Sequence, residues 1–150
     1  MTKNDWLALW ARCNITKGPV KEIDSAIACA VFGWHEEYVD LDPYGQVPMF
    51  VDSNGNGPCI PDRYTESLDS IVALVENQFP LAAWRVMKPL NSVYGGEPGR
   101  PQATIQRRAE QFFDIWTDTE GDTPALALCA AFCRAMAEKI RTGDVGDDFK

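Results

Sequence analysis

The sequence predicts an α+β fold, a single domain in which an antiparallel β-sheet is sandwiched between α-helices, and three observations predict it. Thr123-Pro124-Ala125-Leu126-Ala127-Leu128-Cys129 opens a helix whose cap and apolar face are both legible. Tyr64-Thr65-Glu66-Ser67-Leu68-Asp69, followed by Ile71-Val72-Ala73-Leu74-Val75, opens another. Between these two, after Pro80, helical spacing gives way to strand alternation.

Taken in order, a first helix is expected over Asp5 to Cys13, capped by Asn4 or Asp5, with Trp6, Leu9 and Trp10 on one side. Lys17-Gly18-Pro19 breaks it. A second helix, Val20 to Phe32, places Ile23, Ile27, Ala30 and Val31 on one face, and Gly33 is its expected left-handed stop. From His35 to Asp62 the chain is rich in Pro, Gly, Asp and Asn and reads as loop, apart from a short edge strand at Met49-Phe50-Val51. The third helix is expected over Thr65 to Phe79, with Thr65 as cap, Glu66 and Asp69 in the first turn, and Leu68, Ile71, Val72, Val75 and Phe79 as its buried stripe. Three strands follow, at Trp84 to Lys88, Thr104 to Arg108 and Phe112 to Trp116, the first two separated by a Gly- and Pro-rich loop over 91–101. In the last helix Thr123 caps the first turn, and Pro124 takes the next position, where its missing N–H costs nothing. Its expected stripe is Ala125, Cys129, Phe132, Cys133, Met136 and Ile140. The domain is expected to end at 141, with 142–150 an acidic, flexible tail.

A chain of 150 residues, 45% hydrophobic, can bury one full core. The net charge of -8 argues against partners that demand a positive surface, duplex nucleic acid and anionic lipid among them. No signal peptide or membrane span is expected, because Asp5 and Arg12 bracket only a short apolar run at the N-terminus. Five cysteines without CxxC spacing suit a reducing cytoplasm, and Cys29, Cys129 and Cys133 read as small core fillers. Positive charge concentrates in the middle: residues 63–108 sum to +2, against -5 on either side.

Asp52-Ser53-Asn54-Gly55-Asn56-Gly57 matches the first six places of a calcium loop, but the twelfth place, where a bidentate Glu belongs, is Arg63. A Gly/Asn turn is the expectation, and no metal site or cofactor is assigned. His35 is the only histidine, so no histidine pair can hold zinc. A small hydrolase built on His35, Glu36 and Asp40 would need convergence that the spacing does not provide. Neither a GxSxG elbow nor a GxxxxGK[ST] loop is present, and no catalytic residue is assigned. What remains is a central basic and aromatic set: Arg63, Tyr64, Trp84, Arg85, Lys88, Tyr94, Arg100, Arg107, Arg108, Phe112 and Trp116. Arginine forks suit phosphate and aromatic faces suit a planar ring, so the set has the composition of a small-nucleotide site. Against this stands the reading in which Trp84, Phe112 and Trp116 are core and the cations guard a sheet edge.

The order of elements resembles the phage ABA sandwich domain proteins. The matching pieces are Lys17-Gly18-Pro19, Ile23-Asp24-Ser25-Ala26-Ile27, Gly33-Trp34, Tyr64 to Asp69, Trp84 and Thr123 to Cys129, which together span most of residues 15 to 140. The resemblance implies a phage or prophage origin, a site of action in the host cytoplasm, and helices flanking a central sheet. Some phage proteins of this architecture are anti-defence sponges: oligomers that bind cyclic nucleotides or cyclic ADP-ribose and so starve a host immune effector. Their binding residues have no one-to-one match here. The expectation is therefore a small homo-oligomeric binding protein without catalytic turnover, sequestering a nucleotide-derived immune signal. Arg85, Arg100 and Arg107 or Arg108 would clamp phosphates, and Tyr94 or Trp84 would stack on a ring. The alternative is an accessory protein-interaction module that binds a host or virion protein through its polar loop or acidic tail.

Overall fold

The computed structural model describes residues 1–87, 99–108 and 114–141, with backbone alone at 107, 108, 114–118 and 141. The fold is α+β, with antiparallel sheet packed against helices. The chain divides into two compact units, one made of Met1–Val20 together with the chain from Arg63 onward, the other of Lys21–Asp62.

In the first unit, α1 spans Lys3–Ile15 and begins two residues earlier than expected. Its cap is Thr2, whose hydroxyl accepts from the Asp5 N–H at 3.2 Å while the Asp5 carboxylate accepts from the Thr2 N–H at 2.9 Å. This reciprocal capping box satisfies two otherwise orphaned donors, and the Thr2 hydrogen bonds hold the Asp5 carboxyl below its ordinary range. Helix α3 spans Leu68–Gln78 and is capped by Ser67, not Thr65. Thr65 is taken elsewhere: its hydroxyl accepts from the Val20 N–H at 2.9 Å, and its side chain is buried.

Strands β3 (Ala83–Met87), β4 (Gln102–Arg108) and β5 (Asp114–Glu120) form an antiparallel sheet in that order. The third strand reaches four residues further than the alternation of Phe112 to Trp116 suggested, because Thr117 to Glu120 continue the ladder opposite Ile105 to Gln102. Register decides the faces. Trp84 stands opposite Ile105, and Val86 and Thr119 stand opposite Ala103 on either side of the central strand. This is the helix-bearing face: the Thr119 hydroxyl donates to the Ala127 carbonyl at 2.8 Å, and the Trp84 indole N–H donates to Glu76 of α3 at 3.3 Å.

The last helix, α4, spans Pro124–Arg141, capped as expected with the Leu126 N–H on the Thr123 hydroxyl at 3.2 Å. It is not a one-striped helix. Ala125 through Cys133 are buried without a break, whereas Ile140 is 42% exposed. The sheet covers one side of α4, and α1 and α3 cover others through Phe132, which meets the Trp6 ring edge-on at 5.9 Å and the Phe79 ring at 6.0 Å. The small residues Ala127, Ala130 and Ala131 allow this close packing on several sides at once. Cys129 donates its thiol to the Tyr64 carbonyl at 3.1 Å. Cys133 is buried beside Cys13, and burial first, then Cys13, pushes its thiol well up.

In the second unit, α2 spans Lys21–Phe32, with Ile23, Asp24, Ile27 and Ala28 buried. Gly33 ends it at φ 72°, its N–H on the Cys29 carbonyl at 3.0 Å, as the sequence predicts. The following segment is not loop. Strand β1 (His35–Asp40) pairs antiparallel with β2 (Gln46–Val51), forming a hairpin whose β1 strand is exposed along almost its whole length. Such a strand carries no buried period-two signal, and His-Glu-Glu-Tyr-Val-Asp reads as polar loop until its partner is known. Cys29 and Cys59 are both half-buried in this unit, and burial, Glu36 and then Cys59 raise the Cys29 thiol. In the native protein an aromatic disulfide reagent is therefore expected to label Cys29 and Cys59, with Cys13, Cys129 and Cys133 reacting only after denaturation. Rapid native labelling of a third thiol, read by peptide mapping, would contradict this burial.

Candidate functional site

Strand alternation puts Ala83, Arg85 and Met87 of β3 beside Gln102, Thr104 and Gln106 of β4 on the sheet face opposite the one that α4 covers. Arg85 and Thr104 are directly paired across the strands. A cavity of about 420 Å³ lies to one side of this pair, lined by Arg85, Met87, Gln102, Thr104 and Glu120 among others. A second, of about 210 Å³, lies to the other side, lined by Ala83, Trp84, Arg85, Thr104 and Gln106. Arg85 and Thr104 belong to both. Arg85 takes part in none of the ion pairs among the described residues. The lining thus combines the Arg85 guanidinium and the Gln102 amide with Thr104 and Gln106, which have partners of their own, and the Glu120 carboxylate.

The structure separates the residues that composition had grouped. Trp84 lines the smaller cavity together with Arg85, and its indole N–H donates to Glu76 of α3 at 3.3 Å. Arg100 donates to the Asn14 carbonyl in the last turn of α1, where free carbonyls and the negative end of the helix dipole favour a cation, and it lines neither cavity. Arg63 pairs with Glu66 at 3.3 Å, and Tyr64 is buried. Arg107 and Arg108 pair by backbone with Ile115 and Asp114, but their side chains lie outside the described residues. Tyr94, Lys88 and Phe112 lie wholly outside them, as do most of the 91–101 loop and the 142–150 tail; at Trp116 only the backbone is described. Gln102, Thr104 and Gln106 were missed by the sequence reading. Their alternation in β4 is the available signal, but uncharged side chains leave no mark in a charge pattern that five arginines dominate.

Asp52 organises the turn that follows it. Its Oδ1 accepts from the Asn54 and Asn56 N–H groups, both at 2.9 Å, so the run is an Asx-type turn with Gly55 at φ 80°. Among the described residues no group of three or more His, Cys, Asp or Glu side chains is placed to hold a metal ion. His35 pairs with Glu37 at 2.8 Å, and both are about half exposed.

The second unit has a groove of its own. It measures about 420 Å³ and is walled by Val39, Leu41, Val47, Met49, Pro58 and Ile60 among others, all of them apolar. Comparison of the chain with protein-family models, curated proteins and solved structures gives no match, so the two sites are read from their own geometry.

Proposed function

We propose that this protein is a binding protein without catalytic turnover that holds a small anionic, nucleotide-derived ligand on the sheet face around Arg85. One observation carries the reading: two adjoining cavities share the Arg85 guanidinium, and the Gln102 amide beside it suits a ring edge. The larger cavity falls within the few-hundred-Å³ range of small-molecule sites. In the phage setting that the resemblance implies, such a protein acts in the host cytoplasm as a homo-oligomer and withdraws an immune signal of cyclic nucleotide or cyclic ADP-ribose type. Among the described residues no helix is long and apolar enough to cross a membrane.

Calorimetric titration with cyclic di- and trinucleotides and cyclic ADP-ribose isomers tests the reading. One of them is expected to bind and to be recovered intact. Arg85→Ala is expected to weaken that binding by about 10- to 100-fold, the worth of a charge-assisted hydrogen bond. If no member of the panel binds, or if Arg85→Ala binds as well as the parent, the proposal fails. The alternative, an accessory module that binds a host or virion protein, is favoured by a separate observation, the charge and groove of the hairpin unit.

A further inference from the structure

The unit Lys21–Asp62 holds eight of the chain's 22 Asp and Glu residues and one of its 14 Lys and Arg residues, so it carries -7 of the net -8. Within it, an apolar groove lies on the hairpin. Register places Val39 opposite Val47 and Glu37 opposite Met49 on one face, and the segment Pro58 to Pro61 forms the wall. Ile60 is 79% exposed and Leu41 50%, and Tyr44 at the hairpin turn is 82% exposed. Acidic groups lie next to these side chains: Asp42 follows Leu41, Asp62 follows Pro61, and Glu37, paired with His35 at 2.8 Å, shares the groove face with Met49, while Asp40 turns to the opposite face and adds to the unit's charge. An apolar patch rimmed by polar groups marks an interaction surface. The charge selects what docks there. A second copy of the same face would set -7 against -7, and an anionic lipid surface would be repelled in the same way.

The geometry points to a docking surface for a basic protein segment with aliphatic or aromatic anchors, its side chains seated between Val39, Val47, Met49 and Ile60 and its Lys or Arg residues over Glu37, Asp42 and Asp62. This surface is independent of Arg85, and nucleotide binding is read out separately from it.

Fluorescence anisotropy of the full chain with three short labelled peptides tests the proposal: alternating Lys-Leu, alternating Lys-Ser and alternating Glu-Leu. The Lys-Leu peptide is expected to bind, more weakly as salt rises, and the other two to bind far less. Ile60→Ser removes an exposed side chain that the fold does not need and is expected to weaken Lys-Leu binding about tenfold. The double variant Asp42→Asn, Asp62→Asn should weaken it and flatten its salt dependence. Leu81→Ser, at a 94% exposed leucine of the other unit, should leave it unchanged. Equal binding of the Lys-Ser and Lys-Leu peptides would overturn the proposal, as would an Ile60→Ser variant that binds like the parent.

Discussion

Gly121→Ala is expected to destabilise the protein more than any other single methyl addition at a described glycine. Gly121 follows β5 directly and is buried, with its N–H on the Pro101 carbonyl at 3.1 Å. A Cβ there would stand 2.7 Å from both the Ala127 Cα and the Leu126 carbonyl carbon, and closer still to the Ala127 nitrogen. These are backbone atoms of the first turns of α4, so no rotamer change relieves the overlap. The helix must move, yet the Thr119 hydroxyl and the Thr123 cap fix it on either side. The cost belongs at or above the top of the range for overpacking, about 3 kcal/mol, which at this chain length lowers the melting temperature by roughly 6 to 12 °C. Urea denaturation of the parent and the variant measures it, and an unchanged midpoint would show that α4 does not approach Gly121 this closely.

Phe132→Ala is expected to cost about 3–5 kcal/mol, through lost transfer energy and the cavity left where α1, α3 and α4 meet. Phe132 is fully buried and makes edge contacts with both Trp6 and Phe79, so its loss loosens two helix pairs at once. Phe132→Leu, which keeps most of the volume, should cost less than half as much. Ile140→Ala lies on the same helical stripe in sequence, but at 42% exposure it should change stability by no more than about 0.5 kcal/mol. Denaturant midpoints with an unchanged slope would attribute the losses to the folded state. Equal costs at 132 and 140 would mean that α4 is packed along one stripe rather than enclosed.

The contrast between these two positions shows where legibility ends. Periodicity placed Phe132 and Ile140 on one face because it registers which residues are apolar. How many neighbours surround a helix is set by elements far away in sequence. The third helix shows the same limit at a cap. Thr65 and Ser67 are both competent N-caps, and the choice falls to Ser67 because Val20, 45 residues earlier, has the Thr65 hydroxyl. The candidate site follows suit. A run that alternates as a strand already implies that Trp84 and Arg85 face opposite ways. Which face α4 would cover, and that Gln102, Thr104 and Gln106 would join Arg85, depended on register with β4. Charge counted along the chain as -5, +2 and -5 also concealed that one compact unit holds nearly all of the imbalance.

By itself the sequence determined the α+β class, the stop at Gly33, the cap at Thr123 and Pro124, the Gly/Asn turn after Asp52 and the alternation of the sheet. Each of these rests on backbone constraints among residues a few positions apart. Only the tertiary structure decided that His35–Asp40 is a strand, that α4 is enclosed, that Arg100 serves a helix end, and that Arg85 lines the sheet cavities. Those outcomes depend on strand pairing and on competition for hydrogen-bond partners across long stretches of chain, which no local pattern encodes.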